Sequence, residues 1–133
     1  MTITTYLDSI REHLTTFDLP EPWNVTVAGN PVIGRERVSV QLAGGVLPQV
    51  AAVLLAWAYT LTEISAEAWR TPDGDSVHLA VRGRLADGTT VRVFDGIGHD
   101  ARFGLEPKER RAVSLACLRE WARSVRGWRH DLG

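Results

Sequence analysis

The stretch Leu47–Ile64, LPQVAAVLLAWAYTLTEI, decides the architecture, because Val50 to Ala58 holds no polar residue on any side. A helix made of it needs apolar cover all round, so it reads as a central core helix about which the flanking segments are arranged. Pro48 suits a first helical turn, where its missing N–H is not needed, and Gly44-Gly45 permits the sharp entry.

On the N-terminal side, Val38, Val40 and Leu42 alternate with Ser39 and Gln41, and Trp23, Val25 and Val27 alternate with Asn24 and Thr26. Both are the period of a half-buried strand. Ala28-Gly29-Asn30-Pro31 reads as the turn that starts their short connection, which favours an antiparallel pair. Ahead of them Thr5 and Asp8 stand at capping-box spacing, and Leu7, Ile10, Leu14 and Phe17 recur at helical intervals. Leu19-Pro20-Glu21-Pro22 ends that amphipathic helix, since proline cannot continue it.

On the C-terminal side, a strand over Ile64 to Arg70 stops at the tight-turn sequence Thr71-Pro72-Asp73-Gly74-Asp75. Val77, Leu79, Val81 and Leu85 mark the inner face of the next strand, its alternation interrupted by Gly83. Asp87-Gly88 is a hairpin signal, after which Val91 and Val93 continue the apolar face. A loop over Gly96 to Gly104 leads to a last helix expected to start near Pro107 and to carry Val113, Leu115, Cys117, Leu118, Trp121, Ala122 and Val125. Gly127 and the Trp128 to Gly133 tail are expected to lie beyond it. The order is α-β-β-α-β-β-β-α, a single α+β domain over residues 1–133 with an antiparallel sheet and helices mainly on one face.

Composition agrees with one globular domain: 133 residues, 44% apolar and 23% charged. One cysteine, Cys117, excludes an intramolecular disulfide, which suits a reducing cytoplasm. No basic N-terminal segment leads into an apolar run, so no secretory signal is expected, and Val50 to Ala58 is too short to span a bilayer. A net charge of −1 argues against coating nucleic acid by bulk electrostatics. The charge is nonetheless polarised: residues 101–133 hold eight basic and four acidic residues, whereas residues 1–34 hold four acids and one base.

The face of the sheet turned away from the helices is the most informative surface. If Val77, Leu79, Val81, Val91 and Val93 point inward, alternation sends His78, Arg82, Arg84, Arg92 and Phe94 outward, with Glu67 and Trp69 beside them on the neighbouring strand. Arginines interleaved with aromatics suit phosphate contact and base stacking. They equally suit a dimer or partner interface, or a solvated face whose guanidinium groups pair with Glu67 and Asp95.

Chemical sites are weaker. Asp95, His99 and Asp100 could ligate a metal but lack a ligand-spaced partner motif, and Asp73 with Asp75 lacks the later acids of a calcium loop. Cys117 with His78, or Ser114 with His99, has no family motif; Cys117 reads as core, and His13 and His130 as surface. Gly96, Gly98 and Gly104 do not make a phosphate-binding fingerprint. No catalytic residue, metal or cofactor is expected.

The segments MTITTYLDSIREHL, VSVQL, LLAWAYTLTEISAEAWR and GDSVHLAVRGRLADGTTVRV resemble a group of small uncharacterised actinobacterial proteins encoded on integrative elements and prophages. That resemblance implies an accessory role on a mobile element and brings no activity or catalytic residue with it. The element order is also similar to the dimeric secretion-chaperone-like fold, with one strand moved across the central helix. The expectation is a non-enzymatic binding protein that meets a protein or nucleic-acid partner through Trp69, His78, Arg82, Arg84, Arg92 and Phe94. A small enzyme using His78, His99 and nearby acids, and a dimeric chaperone-like protein, are the competing readings. With five tryptophans and an apolar central helix to cover, a homodimer burying Trp69 is expected, and no membrane partner.

Overall fold

The apolar stretch folds as the central helix predicted for it. A computed structural model describes residues 2–29 and 35–132, side chains from 124 onward excepted. In chain order the elements are α1 (Ile3–Thr16), β1 (Asn24–Val27), β2 (Val38–Gln41), α2 (Leu47–Ala58), β3 (Thr62–Arg70), β4 (Ser76–Arg84), β5 (Thr90–Gly98), a 3-10 turn (Ala101–Phe103), β6 (Arg110–Ala112) and α3 (Leu115–Leu132). The α+β class and the predicted order hold, with the short β6 added. The turn predicted at Ala28 to Pro31 lies partly outside the described residues.

Six strands form one mixed sheet in the order β1-β2-β5-β4-β3-β6. The two predicted blocks are antiparallel within themselves, and a parallel β2–β5 pair joins them. Since β3 and β5 each run against β4, β2 also runs parallel to β3, and α2 is the crossover that such a pair needs. The inward residues are those predicted: Val38, Val40, Val77, Leu79, Val81, Val91 and Val93 pack with Leu54 and Trp57 of α2. Gly44 and Gly45 take positive φ values of 89° and 130° on entry to that helix. Gly83 answers a different demand: a Cβ there would stand 2.9 Å from Leu61 Cβ and from the Thr62 carbonyl, so only glycine lets β3 start so close.

Several local expectations are corrected. Helix α2 is not covered all round: Ala52 is exposed and Val53 and Ala56 are half-exposed. Sheet and α3 take two sides, and the remaining stripe is mostly alanine, which costs little when wet. Helix α1 is capped by Thr2, whose hydroxyl accepts the Thr5 N–H at 3.2 Å, not by Thr5. Its inward stripe is Tyr6, Ile10, His13 and Leu14, while Leu7 and Phe17 are exposed. His13, read as a surface residue, is buried: it stacks on Trp57 at 5.4 Å and shares a 2.8 Å hydrogen bond with Thr60. The Thr60 hydroxyl already donates to the Trp57 carbonyl, so His13 Nε2 is the donor and the ring is the Nε2–H tautomer. Strand β5 runs on to Gly98, and α3 starts at Leu115 and continues to Leu132 through the segment read as a tail. Its N-terminus is set by Ser114, whose hydroxyl accepts the Cys117 N–H at 3.1 Å. Cys117 is half-buried rather than core. The His130 side chain lies outside the described residues. Among the described residues no helix is long and apolar enough to cross a membrane.

Candidate functional site

All three helices contribute to the core on one face of the sheet, and among the described residues no helix packs on the other face. Strand register arranges that open face in cross-strand rows: Thr26–Ser39–Arg92–Arg82–Ser65, then Asn24–Gln41–Phe94–Ala80–Glu67–Ala112, then Gly96–His78–Trp69–Arg110. Five predicted site residues, Trp69, His78, Arg82, Arg92 and Phe94, are thus brought together. Arg84 shares the face by register but sits at the strand end, bonded to Glu63 at 2.5 Å and to the Gly88 carbonyl at 2.9 Å.

The rows enclose a cleft of about 480 Å³ lined by Thr26, Ala28, Ser39 and the charged residues Arg35, Glu36, Arg37, Arg82, Arg92 and Arg110. Its electrostatics rest on two carboxylates. One oxygen of Glu67 accepts from both Arg82 and Arg110, each at 2.6 Å. Glu36 pairs with the Nε side of Arg82 at 2.5 Å. Burial pulls the Arg82 guanidinium down, but the hydrogen bond to Glu67 and the charges of Glu36 and Glu67 outweigh it and hold its pKa above the usual arginine value. Arg37 is spent on the Ala28 carbonyl at 2.8 Å and lies over the Tyr6 ring.

Arg92 differs from its neighbours. Among the described residues no carboxylate lies within ion-pair distance of it, and its guanidinium rests over the Phe94 ring, 4.4 Å from the centroid. Burial and the adjacent Arg82 push its pKa below the usual arginine value. The aromatic end of the face is held the same way: Trp69 meets His78 edge-on at 5.5 Å and Arg110 lies over it at 5.7 Å. Burial, and then the charge of Arg92, lowers the pKa of His78 below the usual histidine value.

The other predicted sites come apart. Asp95 is buried facing the helix side of the sheet, so it does not pair with the arginines as expected. Asp100 caps the 3-10 turn through the Arg102 N–H and pairs with the Arg102 side chain. His78 lies on the open face while Cys117 lies on α3 across the sheet, and the Ser114 hydroxyl is taken up in capping α3. Asp73 closes its turn by accepting from Thr71 and from the Asp75 N–H. Among the described residues no group of three or more His, Cys, Asp and Glu is placed to hold a metal.

Sequence reading missed Arg35, Glu36 and Arg37, taken as mere connection, and Arg110, assigned to the last helix. Arg35-Glu36-Arg37 had a legible signal, three charges directly ahead of a strand. Arg110 had none, because β6 carries no apolar alternation and is fixed only by its backbone pairing to β3. No protein-family model, curated protein or solved structure matches the chain.

Proposed function

We propose that the protein is a non-enzymatic accessory binding protein of a mobile genetic element that takes a nucleic-acid strand on its uncovered sheet face. The observation that carries this reading is Arg92, a half-buried guanidinium without a carboxylate partner among the described residues, in a cleft lined by four further arginines. Such a group is stabilised by an anion from outside, and phosphate is the anion whose geometry matches a guanidinium fork. The half-buried Trp69, His78 and Phe94 extend the face with rings on which bases can stack. The resemblance to mobile-element proteins supports the accessory setting, and the near-neutral chain fits modest, sequence-tolerant affinity.

The test is fluorescence anisotropy with a labelled oligothymidylate. Three or four phosphate contacts give a slope of log K against log salt of roughly −2 to −3 on a single strand. Substituting Arg82, Arg84 and Arg92 together by Ala should abolish binding, most of the loss coming from Arg92. Binding that survives the triple change moves the site away from the sheet face, Arg119 and Arg123 of α3 being the next basic pair. A second reading, an isologous homodimer through the same face, is favoured by one observation: Trp69 and Phe94 are only half-buried on a six-stranded surface that no helix covers among the described residues.

A further inference from the structure

We infer that the arginine cleft is a phosphate-group site in which Arg92 is the first ligand and Arg82 the second, with Glu36 a built-in competitor that the phosphate must displace. This rests on the proposed use of the sheet face and adds its ligand chemistry and its regulation.

The two acids of the cleft are not anchored alike. Glu67 holds two guanidinium groups on one oxygen, while burial does not separate the two acids, whose side chains are 15% exposed for Glu67 and 17% for Glu36. Among the described residues Glu36 has one ion-pair contact, to Arg82, and it lines the cleft itself. Removing Glu67 from its place breaks two charge-assisted contacts, whereas moving Glu36 breaks one, so Glu36 is the carboxylate that yields to an incoming anion. Its departure frees the Nε side of Arg82, next to Arg92 in the same cross-strand row. The row continues through Ser39 and Thr26, both of which line the cleft and whose hydroxyls make no hydrogen bond to the described residues, so they can donate to the remaining phosphate oxygens. Two guanidinium groups and two hydroxyls thus stand in one row across four neighbouring strands and line the same cleft. Glu36 supplies part of the negative charge that the phosphate would bring, which weakens binding and favours ligands that can displace it.

The experiment measures binding of a fluorescein-labelled oligothymidylate across a salt series for the wild-type chain, Glu36→Gln, Arg92→Gln, Arg92→Lys and a control, Asp8→Asn. Asp8 is exposed on α1 and its loss changes the net charge equally. Glu36→Gln should tighten binding about 3- to 10-fold and steepen the salt slope by about 0.7, because Arg82 then neutralises a phosphate without freeing a carboxylate that takes up a cation in its place. Asp8→Asn should leave the slope unchanged. Arg92→Gln should lose most of the binding and Arg92→Lys should keep part of it, with far-UV circular dichroism unchanged in both. Pyrophosphate should compete with the strand, and more effectively in Glu36→Gln. Strand binding that depends on Arg92 while Glu36→Gln keeps wild-type affinity and slope overturns this inference and leaves the sheet-face function standing. Absence of strand binding in both wild type and Glu36→Gln overturns the two together, and a phosphopeptide that outcompetes the strand overturns the assignment to nucleic acid.

Discussion

Glu67→Gln tests whether one carboxylate holds the open face together. The side chain keeps its size and an acceptor oxygen but loses the charge that Arg82 and Arg110 share at 2.6 Å each. A charge-assisted hydrogen bond contributes about 1.5–3 kcal/mol where buried, and an exposed pair about 0.2–1 kcal/mol. Arg82 and Arg110 are 34% and 53% exposed on their side chains, so each contact belongs nearer the lower range. Allowing about 1 kcal/mol for each, and a smaller sum for the repulsion then felt among Arg82, Arg92 and Arg110, the expected loss is about 2 kcal/mol in low salt. Urea unfolding followed by tryptophan fluorescence reads it as a lower midpoint at unchanged slope. At ~0.5 M salt the screening length falls well below 10 Å and the loss should shrink by about half. A loss below about 0.5 kcal/mol that ignores salt would refute the view that Glu67 neutralises these arginines.

Leu54→Asp should give no soluble, cooperatively melting protein, because Leu54 is fully buried and an unpaired carboxylate there costs several kcal/mol, comparable to a domain's stability; expression and a thermal melt decide it. Burial lowers the pKa of His13, so the folded chain binds fewer protons than the unfolded one; stability is complete above about pH 6.5 and falls as pH drops below it. Urea midpoints at pH 7.5 and 5.0 should show that fall, and His13→Gln should remove part of it, the remainder belonging in part to His78, which is shifted the same way. Light scattering at micromolar concentration should give a mass near twice the 14.7 kDa of one chain if the sheet face self-associates; a mass of 14.7 kDa unchanged on dilution refutes the dimer. Trp69→Glu should split such a dimer with the far-UV signal intact.

What could be read from sequence was whatever a period could carry. Alternation of Val77, Leu79, Val81, Val91 and Val93 fixed which residues turn outward, so Trp69, His78, Arg82, Arg92 and Phe94 were placed on one face before any partner strand was known. Pairing between distant segments carries no such period. The parallel β2–β5 contact, which sets Ser39 beside Arg92, depends on how the two blocks meet across α2. Strand β6 has three exposed residues and no pattern, so Arg110 could not be found. His13 was misread because a histidine on a helix looks polar, and only the packing of α1 against Trp57 buries it.

The most direct test of the central claim is a nitrogen–proton correlation titration of the labelled protein with an unlabelled oligothymidylate. Shifts should concentrate at Ser39, Trp69, His78, Arg92 and Phe94, with α1 and α2 unmoved and the effect lost in high salt. Shifts confined to the helix side, or none at ligand concentrations that saturate anisotropy, would contradict it.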